Sequence, residues 1–384
     1  MNAIVLLPRH HNGGFFQQEE CCFGKFARWT PALGMHAATW LRHRRGARVA
    51  FFPFNVESAE PIALPPADLY VLIFTWGYGL DLEPHVSRWI AEGKNLSLAP
   101  NPFGGGDALR AVFGETFDLF AGGQSPFTAD LPLAIDAMPD ELWPEFRVVT
   151  HQVATGCYWH CHYCPWASRR HVNRDPVLAV KELVELLHRV PTAAADRTGN
   201  SISIFCNEVN TDQRWLNEFC RLVTPLKITW ISDLNIRTAT EAQIAMLALA
   251  GLREVTLGIE FLEDAMLQRL WKGHTVEQAF GVMGWLQQHG IRYRFSLRSG
   301  VGETTDDIAR LTANVERMRA RGLRPQRISC GPMAEWPGIP WMPKEWPRVN
   351  IGSEKFPRWT QRLSDEVKAA WKPLLGRLKQ EGLT

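Results

Sequence analysis

The sequence predicts an α/β protein: an open Rossmann-like sheet, then six strand–helix units, then a short helical extension. Short apolar or alternating runs typical of strands are followed by longer stretches with apolar residues at helical spacing, and this alternation recurs along the chain. Repeated strand–helix units favour parallel strands joined by helical crossovers. The 384 residues, 46% of them apolar, suffice for the cores of two or three domains.

Residues 1–140 are predicted to form the Rossmann-like unit. Strands are predicted at 3–7, 47–53, 67–74 and 95–100, and helices at 30–43 and 84–93. Because open α/β sheets bind ligands beyond the carboxyl ends of their strands, a ligand site is expected at that edge.

Residues 146–342 predict the six strand–helix units. Strands are expected at 146–150, 201–206, 227–232, 254–260, 292–297 and 326–330. Helices are expected at 175–189, 212–223, 241–249, 263–270, 276–289 and 305–321. In barrels built from such units the active site lies at the C-terminal ends of the strands, so residues that end strands are the candidates for function.

Residues 343–384 predict a helical C-terminal extension. The segment 361–379 carries Leu363, Val367, Trp371 and Leu374 at helical spacing. Pro373 is expected to kink or interrupt this helix, because proline removes a backbone donor from the helix interior.

Three cysteines share one predicted loop. Cys157, Cys161 and Cys164 have the spacing C-x3-C-x2-C after the strand-like run 146–150. Three thiolates can hold a [4Fe–4S] cluster at three irons and leave the fourth iron open to a ligand. The alternative is structural zinc, which needs four ligands, so His160 or His162 would have to join. Disulfides are not expected, because the chain is long and begins with a strand-like segment instead of a basic leader.

The cysteine spacing is the pattern of the radical SAM superfamily, and the segment resembles the cluster loop of that family. There the open iron binds S-adenosylmethionine (SAM), and one electron cleaves SAM to a 5′-deoxyadenosyl radical. The resemblance implies that Cys157, Cys161 and Cys164 are the metal ligands and the catalytic centre. It also implies a partial (β/α)6 radical SAM barrel and an external electron donor of the flavodoxin or ferredoxin type.

Further motifs extend the resemblance along the barrel. Gly258-Ile-Glu-Phe261 and Leu270-Trp-Lys-Gly273 resemble the "G-I-E-S … K-G" stretch of a subgroup that includes cobalamin-binding and methylthiotransferase enzymes. The segment 299–307 resembles its "G-x-P-G-E-T-x-E-D" turn, and 336–341 resembles its "P-G-T-P-L" turn. The order of these motifs matches that of the family.

The resemblance implies SAM contacts at seven positions, namely Tyr163, Asn207, Glu208, Arg237, Glu260, Ser296 and Arg298. Tyr163 is expected beside the adenine, and the residues after the second strand beside the amino group of SAM. Glu260 is expected to reach the hydroxyls of SAM or its amino acid end. Ser296 and Arg298 end the fifth strand, where a cation can pair with the carboxylate of SAM. Arg237 is a further candidate for that pairing.

The N-terminal unit resembles the cobalamin-binding domains that precede radical SAM barrels. Pro31-Ala-Leu-Gly34 is similar to their "P-P-L-G", 68–73 to their "P-D-V-V-G-I" strand, and 100–106 stands at their "G-G-P-H". The D-x-H-x-x-G cobalt-ligand motif is absent. The resemblance implies a cobalamin at the loop after the third strand, formed by Thr75, Trp76, Gly77 and Tyr78. Glycine there lets the backbone approach a flat macrocycle, and Trp76 is expected to cap the cobalt.

Composition limits the partners. A net charge of +2, from 42 basic and 40 acidic residues, gives no basic surface for nucleic acid. The chain has no run of about 18 apolar residues, so no membrane span is expected. We expect a cytoplasmic protein, because an open cluster needs reducing conditions, and a small-molecule substrate.

These observations favour a cobalamin-dependent radical SAM C-methyltransferase that acts on a small molecule or natural product. One alternative is a radical SAM enzyme that rearranges, cyclises or cleaves its substrate without methylating it, with or without cobalamin. The other is a non-enzymatic iron–sulfur redox protein. An electron carrier needs none of the SAM-contact candidates, which argues against it.

Overall fold

The computed structural model describes residues 1–9, 30–75, 79–101, 106–114, 126–164, 167, 169–196, 201–206, 208–335 and 340–384. These residues form two parallel sheets with flanking helices, together with two short antiparallel hairpins. The α/β fold class predicted from the sequence is confirmed. No helix in these ranges is long and apolar enough to cross a membrane.

The N-terminal sheet has four parallel strands in the order β2-β1-β3-β4. Its elements are β1 (Asn2–Arg9), α1 (Ala32–Arg45), β2 (Arg48–Asn55), β3 (Leu69–Thr75), α2 (Gly79–Ala91), β4 (Leu96–Asn101) and α3 (Gly106–Phe113). Because the strand order reverses at β1, the carboxyl ends of β1 and β3 lie on either side of a topological switch point. Open α/β sheets bind ligands at that place.

Alternate residues of β1 belong to different cores. Val5 and Leu7 pack in a core that includes Met35 and Leu41 of α1 and is continuous with the core of the second sheet. The residues between them face the other way, into a core that contains side chains of α2. A strand buried on both faces is typical of a parallel sheet covered by helices on both sides.

The second sheet has six parallel strands, and the elements from its start to the C-terminus follow in chain order. They are β5 (Val149–Gln152), β6 (Ala154–Cys157), β7 (Arg169–Asn173), α4 (Pro176–Arg189), α5 (Pro191–Ala195), β8 (Ile202–Phe205), α6 (Gln213–Val223), β9 (Trp230–Leu234), α7 (Glu241–Leu249), β10 (Leu252–Glu260), α8 (Asp264–Arg269), α9 (Val276–Gln288), β11 (Arg292–Ser299), α10 (Thr305–Ala320), β12 (Arg327–Pro332), β13 (Arg348–Asn350), β14 (Trp359–Gln361) and α11 (Asp365–Gln380).

The strand order of this sheet is β5-β8-β9-β10-β11-β12, the order of the strands along the chain. Connections between successive parallel strands are right-handed, so a sequential order places the crossover helices on one face. Val255 and Leu257 of β10 and Phe295 and Leu297 of β11 share the core with residues of these helices. The opposite face forms the interior of the six-unit βα architecture predicted from the sequence.

Polar caps start the helices of this unit. Thr240, Thr275 and Thr304 each accept a hydrogen bond from the third backbone N–H of the following helix, and the side chain at that position bonds back to the cap. Such a capping box satisfies two backbone N–H groups that the helix leaves without partners. Each of these helices therefore begins within one residue of its predicted start.

Several elements differ from the sequence-based prediction. The helix α2 begins at Gly79 instead of 84, α11 begins at Asp365 instead of 361, and α3, α5 and the hairpin of β13 and β14 were not predicted. Strand β9 begins at Trp230 instead of 227, because Lys227 ends a 3-10 turn with a left-handed φ of 52°. The hairpin of β6 and β7 around the cysteine loop was not predicted. Pro373 does not interrupt the last helix: α11 continues through it to Gln380, with Trp371 and Leu374 buried.

Arg174 connects the cysteine hairpin to the rest of the chain. Its buried guanidinium lies 2.5 Å from Glu182 Oε1 of α4 and donates a 2.8 Å hydrogen bond to the Leu131 carbonyl. Glu182 Oε1 also accepts from the Leu133 backbone N–H at 2.7 Å. The Arg174 carbonyl accepts from Trp215 Nε1 of α6 at 2.6 Å. One ion pair thus fixes the segment after the first sheet, the hairpin and two helices.

We predict that Arg174→Ala lowers the free energy of unfolding by about 3–5 kcal/mol, because it leaves the Glu182 carboxylate buried without its cation. Arg189→Ala is the matched control: its partner Asp140 is 85% exposed, and such pairs contribute about 0–1 kcal/mol. Urea denaturation followed by tryptophan fluorescence measures both. Equal, small changes for the two variants would contradict a structural role for the buried pair.

Candidate active site at the carboxyl ends of the second sheet

The three cysteines lie on a tight loop closed by an antiparallel hairpin. Cys157 is the last residue of β6 and pairs with Arg169 of β7. The Cys164 backbone N–H donates to the Cys161 carbonyl at 3.1 Å, and this hydrogen bond closes a turn between Cys161 and Cys164. Cys157 is buried and the other two are partly exposed, and all three are free thiols. The hairpin therefore presents three thiols from one short segment.

The chemistry of these thiols fits iron–sulfur ligation. Within the described part of the chain, no three His, Cys, Asp or Glu side chains converge closely enough to hold one metal ion. The thiolates that hold a cluster can lie farther apart than the ligands of a single metal ion, because each thiolate binds a different iron. Burial and the nearby Glu208 carboxylate raise the pKa of Cys157 to about 12. This thiol therefore stays neutral at pH 7 until a metal replaces its proton.

Two strand ends contact the cysteines directly. Cys157 Sγ lies 4.0 Å from Glu208 Oε2, just after β8. Cys161 Sγ lies 3.8 Å from Arg237 Nη2, just after β9, and 3.7 Å from the Trp271 carbonyl oxygen. The carboxyl ends of parallel strands meet at one edge of the sheet, and the cysteine loop lies on that edge.

Glu260, the last residue of β10, is the centre of a polar network. Tyr163 donates to Glu260 Oε1 at 3.3 Å, and Lys272 Nζ donates to the Tyr163 hydroxyl at 2.9 Å. Lys272 Nζ and Arg298 Nε lie 3.9 Å and 3.5 Å from the two oxygens of Glu260. Arg298 Nη2 also donates to Ser296 Oγ at 3.3 Å. Burial and the Glu260 charge raise the pKa of Tyr163 well above its usual value, so this phenol stays a donor.

Backbone strain coincides with this network. Glu260 has a φ of 65° and Trp271 a φ of 55°. The left-handed region is costly for residues with a Cβ, and residues held there cluster at functional sites. Strain at Glu260 places the carboxylate on the edge of the sheet, and strain at Trp271 aims its carbonyl at Cys161. Both distortions serve the contact between the cysteine loop and the strand ends.

Arg237 holds the segment that carries Lys272. Its guanidinium donates to the carbonyls of Trp271 and Lys272 and lies 4.4 Å over the Trp159 ring. Gly273 has a φ of 64°, and a Cβ there would come within 2.6 Å of Arg237 Nε. Glycine tolerates the positive φ and, having no Cβ, leaves room for the Arg237 side chain. This accounts for the glycine that follows Lys272.

Glu208 is held by neighbours at the end of β9. Asn235 Nδ2 donates to Glu208 Oε2, and the Asn235 side-chain oxygen accepts from the Arg237 backbone N–H at 2.7 Å. Burial raises the pKa of Glu208, although the Asn235 hydrogen bond and the charge of Lys272 act in the opposite direction. Asn235 thus fixes the carboxylate beside Cys157 and the arginine beside Cys161 together.

The structure brings six of the predicted SAM-contact residues to the edge that holds the cysteines: Tyr163, Glu208, Arg237, Glu260, Ser296 and Arg298. Their assignment to particular parts of SAM stays a prediction. Asn207 lies outside the described residues, and so do Trp76, Gly77 and Tyr78. Thr75 is the last residue of β3, beside the switch point of the first sheet, and its assignment to a cobalamin site stays a prediction.

Sequence reasoning missed four residues of this site: Trp159, Asn235, Trp271 and Lys272. Lys272 carried a signal, because it belongs to the Lys-Gly pair of a recognised motif, but no role was assigned to it. Asn235 also carried a signal, because it directly follows strand β9 and residues that end strands were the candidates for function. Trp159 and Trp271 act through a ring face and a backbone carbonyl, which no sequence pattern predicts.

The chain matches no protein-family model and no curated protein. It is similar in structure to the radical SAM methyltransferase TsrM from Kitasatospora setae, solved with cobalamin and a [4Fe–4S] cluster. The TM-score is 0.60 at 13% identity, over 89% of this chain and 77% of TsrM. A TsrM structure with tryptophan substrate and a SAM analogue gives 0.59 at 14% identity, over 86% and 73%.

It is also similar to the cobalamin-dependent SAM radical enzyme OxsB, solved with aqua-cobalamin and SAM. Here the TM-score is 0.60 at 15% identity, over 83% of this chain but only 52% of OxsB. At these identities the likeness shows the fold alone. The chain therefore shares the fold of these two enzymes over most of its length.

Proposed function

We propose that this protein is a radical SAM enzyme whose [4Fe–4S] cluster is held by Cys157, Cys161 and Cys164. The observation that carries the proposal is the docking of the cysteine loop onto three strand ends through Glu208, Arg237 and the Tyr163–Glu260 contact. An electron carrier needs only the thiolates. The charged side chains around the thiols give a place for a zwitterionic ligand next to the open iron.

The polar network supplies groups for both ends of that ligand. Glu208 and Glu260 offer acceptors for an ammonium, and Arg298 offers a guanidinium for a carboxylate. Glu260, Arg298 and Lys272 side chains remain 14%, 24% and 10% exposed, so the network is reachable but largely shielded from water. Shielding strengthens charge–charge interactions and protects a reactive species from solvent. Tyr163, held by Lys272 and Glu260, gives a flat surface for the adenine.

We further propose that the N-terminal sheet binds cobalamin and that the reaction is C-methylation of a small molecule or natural product. The switch point between β1 and β3 supports a ligand site there, and two enzymes of similar fold were solved with cobalamin. When bound, the cluster supplies an electron to SAM and the cobalamin carries the methyl group. The chain's own part is to orient both cofactors and exclude water. The electron donor is an external flavodoxin- or ferredoxin-type protein.

Replacing a cluster cysteine should abolish the proposed chemistry. We predict that Cys161→Ala, purified without oxygen and reconstituted with iron and sulfide, loses most of its iron and forms no 5′-deoxyadenosine from SAM. Cys220→Ala is the control, because this buried thiol belongs to α6 and should leave the iron content unchanged. Iron analysis and chromatography of the SAM products measure the two effects. Full iron content in Cys161→Ala would contradict the ligand assignment.

Cobalamin uptake tests the methyltransferase proposal separately. We expect the reconstituted protein to retain close to one cobalt per chain after incubation with hydroxocobalamin and removal of unbound cofactor. Absorption spectra and metal analysis give both stoichiometries. A complete cluster without cobalt would leave a SAM-cleaving enzyme and refute cobalamin-dependent methyl transfer.

Lys272 should determine SAM affinity without holding the cluster. We predict that Lys272→Met weakens SAM binding about 10-fold, because the Tyr163 ring proposed to face the adenine loses the charge-assisted hydrogen bond of about 1.5 kcal/mol that holds it. Iron content should stay at the wild-type level. Equilibrium dialysis with labelled SAM measures affinity, and Lys344→Met, on the exposed surface, serves as the matched control. Unchanged SAM affinity in Lys272→Met would exclude this role.

A further inference from the structure

The interior face of the six-stranded sheet is polar and keeps access to solvent. On β10 and β11 the outward residues Val255, Leu257, Phe295 and Leu297 are at most 1% exposed. The inward residues between them, among them Thr256, Arg294 and Ser296, are only half-buried. Packed barrels instead fill their interior with bulky branched side chains. The interior here is built to contact something other than its own side chains.

Strand register places a polar level across this interior. Asp233 of β9 pairs with Thr256 of β10, Thr256 with Arg294 of β11, and Arg294 with Arg327 of β12. Partners in register share a face, so these four side chains lie at one height.

Small residues lie between this level and the edge that holds the cysteines. Ser296 pairs with Ser329, and Arg298 pairs with Gly331. Gly258 of β10 also lies between Thr256 and Glu260. Glycine inside a strand often marks a place where a ligand approaches closely. At Gly258 and Gly331 the nearest groups are the ends of the Lys272 and Arg298 side chains, so above the Asp233 level the strands contribute only small side chains.

At this level Asp233 has a carboxylate that can accept further hydrogen bonds. Arg294 lies 3.2 Å from Glu254 Oε1 through Nη1 and donates to Thr256 Oγ1 through Nε, also at 3.2 Å. Thr256 in turn hydrogen-bonds the Asp233 carboxylate, so its hydroxyl proton points toward Asp233. Among the residues that the structure describes, Asp233 forms no ion pair within 4.0 Å. A shielded carboxylate without a cation is costly, and such groups concentrate at functional sites.

We propose that this interior level is the substrate site and that Asp233 binds an amine, amidine or other N–H group of a small substrate. The inference rests on the proposed function, since it places the substrate below the SAM contacts. The chemical class follows from the carboxylate: among the described residues Asp233 has a hydrogen bond from Thr256 and no ion pair, whereas Arg294 already lies against Glu254. A substrate that presents N–H donors supplies the partner that Asp233 lacks at this level.

The charges around Asp233 make the site sensitive to pH. The pKa of Asp233 is raised to about 7, mainly by burial and in smaller part by the Glu208 carboxylate that follows β8. Thr256 of β10 and Arg294 of β11 lower it. Glu254, on the same strand as Thr256, offsets the positive charge of Arg294. Because only the ionised carboxylate attracts a cation, affinity for a cationic ligand should rise as pH increases through about 7.

Benzamidine and benzoate form a matched pair of probes, equal in shape and opposite in charge. Ligand-observed NMR titration of the cluster-reconstituted protein with SAM gives their affinities. We expect benzamidine to bind at least ~10-fold more tightly than benzoate, and Asp233→Asn to weaken benzamidine at least ~10-fold. Asp365→Asn, on the exposed start of α11, removes the same charge elsewhere and should have no effect.

A second variant separates the carboxylate from the fold around it. Thr256→Val keeps Asp233 but removes its hydrogen-bond donor, so benzamidine should still bind, with the pH midpoint of binding moved upward. Equal affinity for the two probes, or wild-type affinity in Asp233→Asn, would overturn the proposal. Iron content and SAM affinity of Asp233→Asn are measured in parallel to verify folding. If the wild-type protein holds no cluster or SAM, the proposed function fails, and the same titration without them still decides the role of Asp233.

Discussion

The buried ion pair between Arg174 and Glu182 is the constraint on which the rest of the structure depends. Arg174 directly follows the hairpin that carries the cysteines, and Glu182 belongs to the first helix of the second sheet. The pair also holds the backbone at 131–133, the segment that leads from the first sheet to the second. A guanidinium removed from water can point only where its charge and its donors are satisfied. This requirement positions the hairpin before any cofactor is bound.

Paired charges also fix the candidate site, at the cysteine loop of the hairpin. Glu260 lies between Lys272 and Arg298 and accepts from Tyr163 of the cysteine loop. A left-handed backbone at Glu260 and at Trp271 is the cost of this geometry. Folding energy is therefore spent on orienting charges at one edge of the sheet. Proteins tolerate such local strain where function requires a fixed arrangement. The surrounding core, whose buried side chains are at most 8% exposed, is large enough to sustain it.

Local signals predicted helices well and the contacts of the site poorly. The helix Glu241–Leu249 was predicted at its observed bounds because Thr240 and Gln243 form a capping box within four residues of sequence. The hairpin of β6 and β7 was missed because its strands have four and five residues, too few for a periodic pattern. Lys272 was missed as a site residue because its partner, Tyr163, is 109 positions away. The three cysteines, by contrast, were singled out from their spacing alone, because the pattern C-x3-C-x2-C keeps them on one loop.

The C-terminal extension connects the two sheets. Thr360 of β14 donates to the Met333 carbonyl, and Gln361 accepts from the Gly302 backbone, so the hairpin of β13 and β14 is anchored to the second sheet. Its turn carries Phe356, which packs against Phe74 of β3 and Phe113 of α3 in the first sheet. Phe74 directly precedes Thr75, the residue that ends β3 at the switch point. A reaction that uses one cofactor from each sheet needs the two carboxyl edges at a fixed separation. The extension links those edges, because its hairpin is hydrogen-bonded to the second sheet and the buried Phe356 in its turn packs against the first.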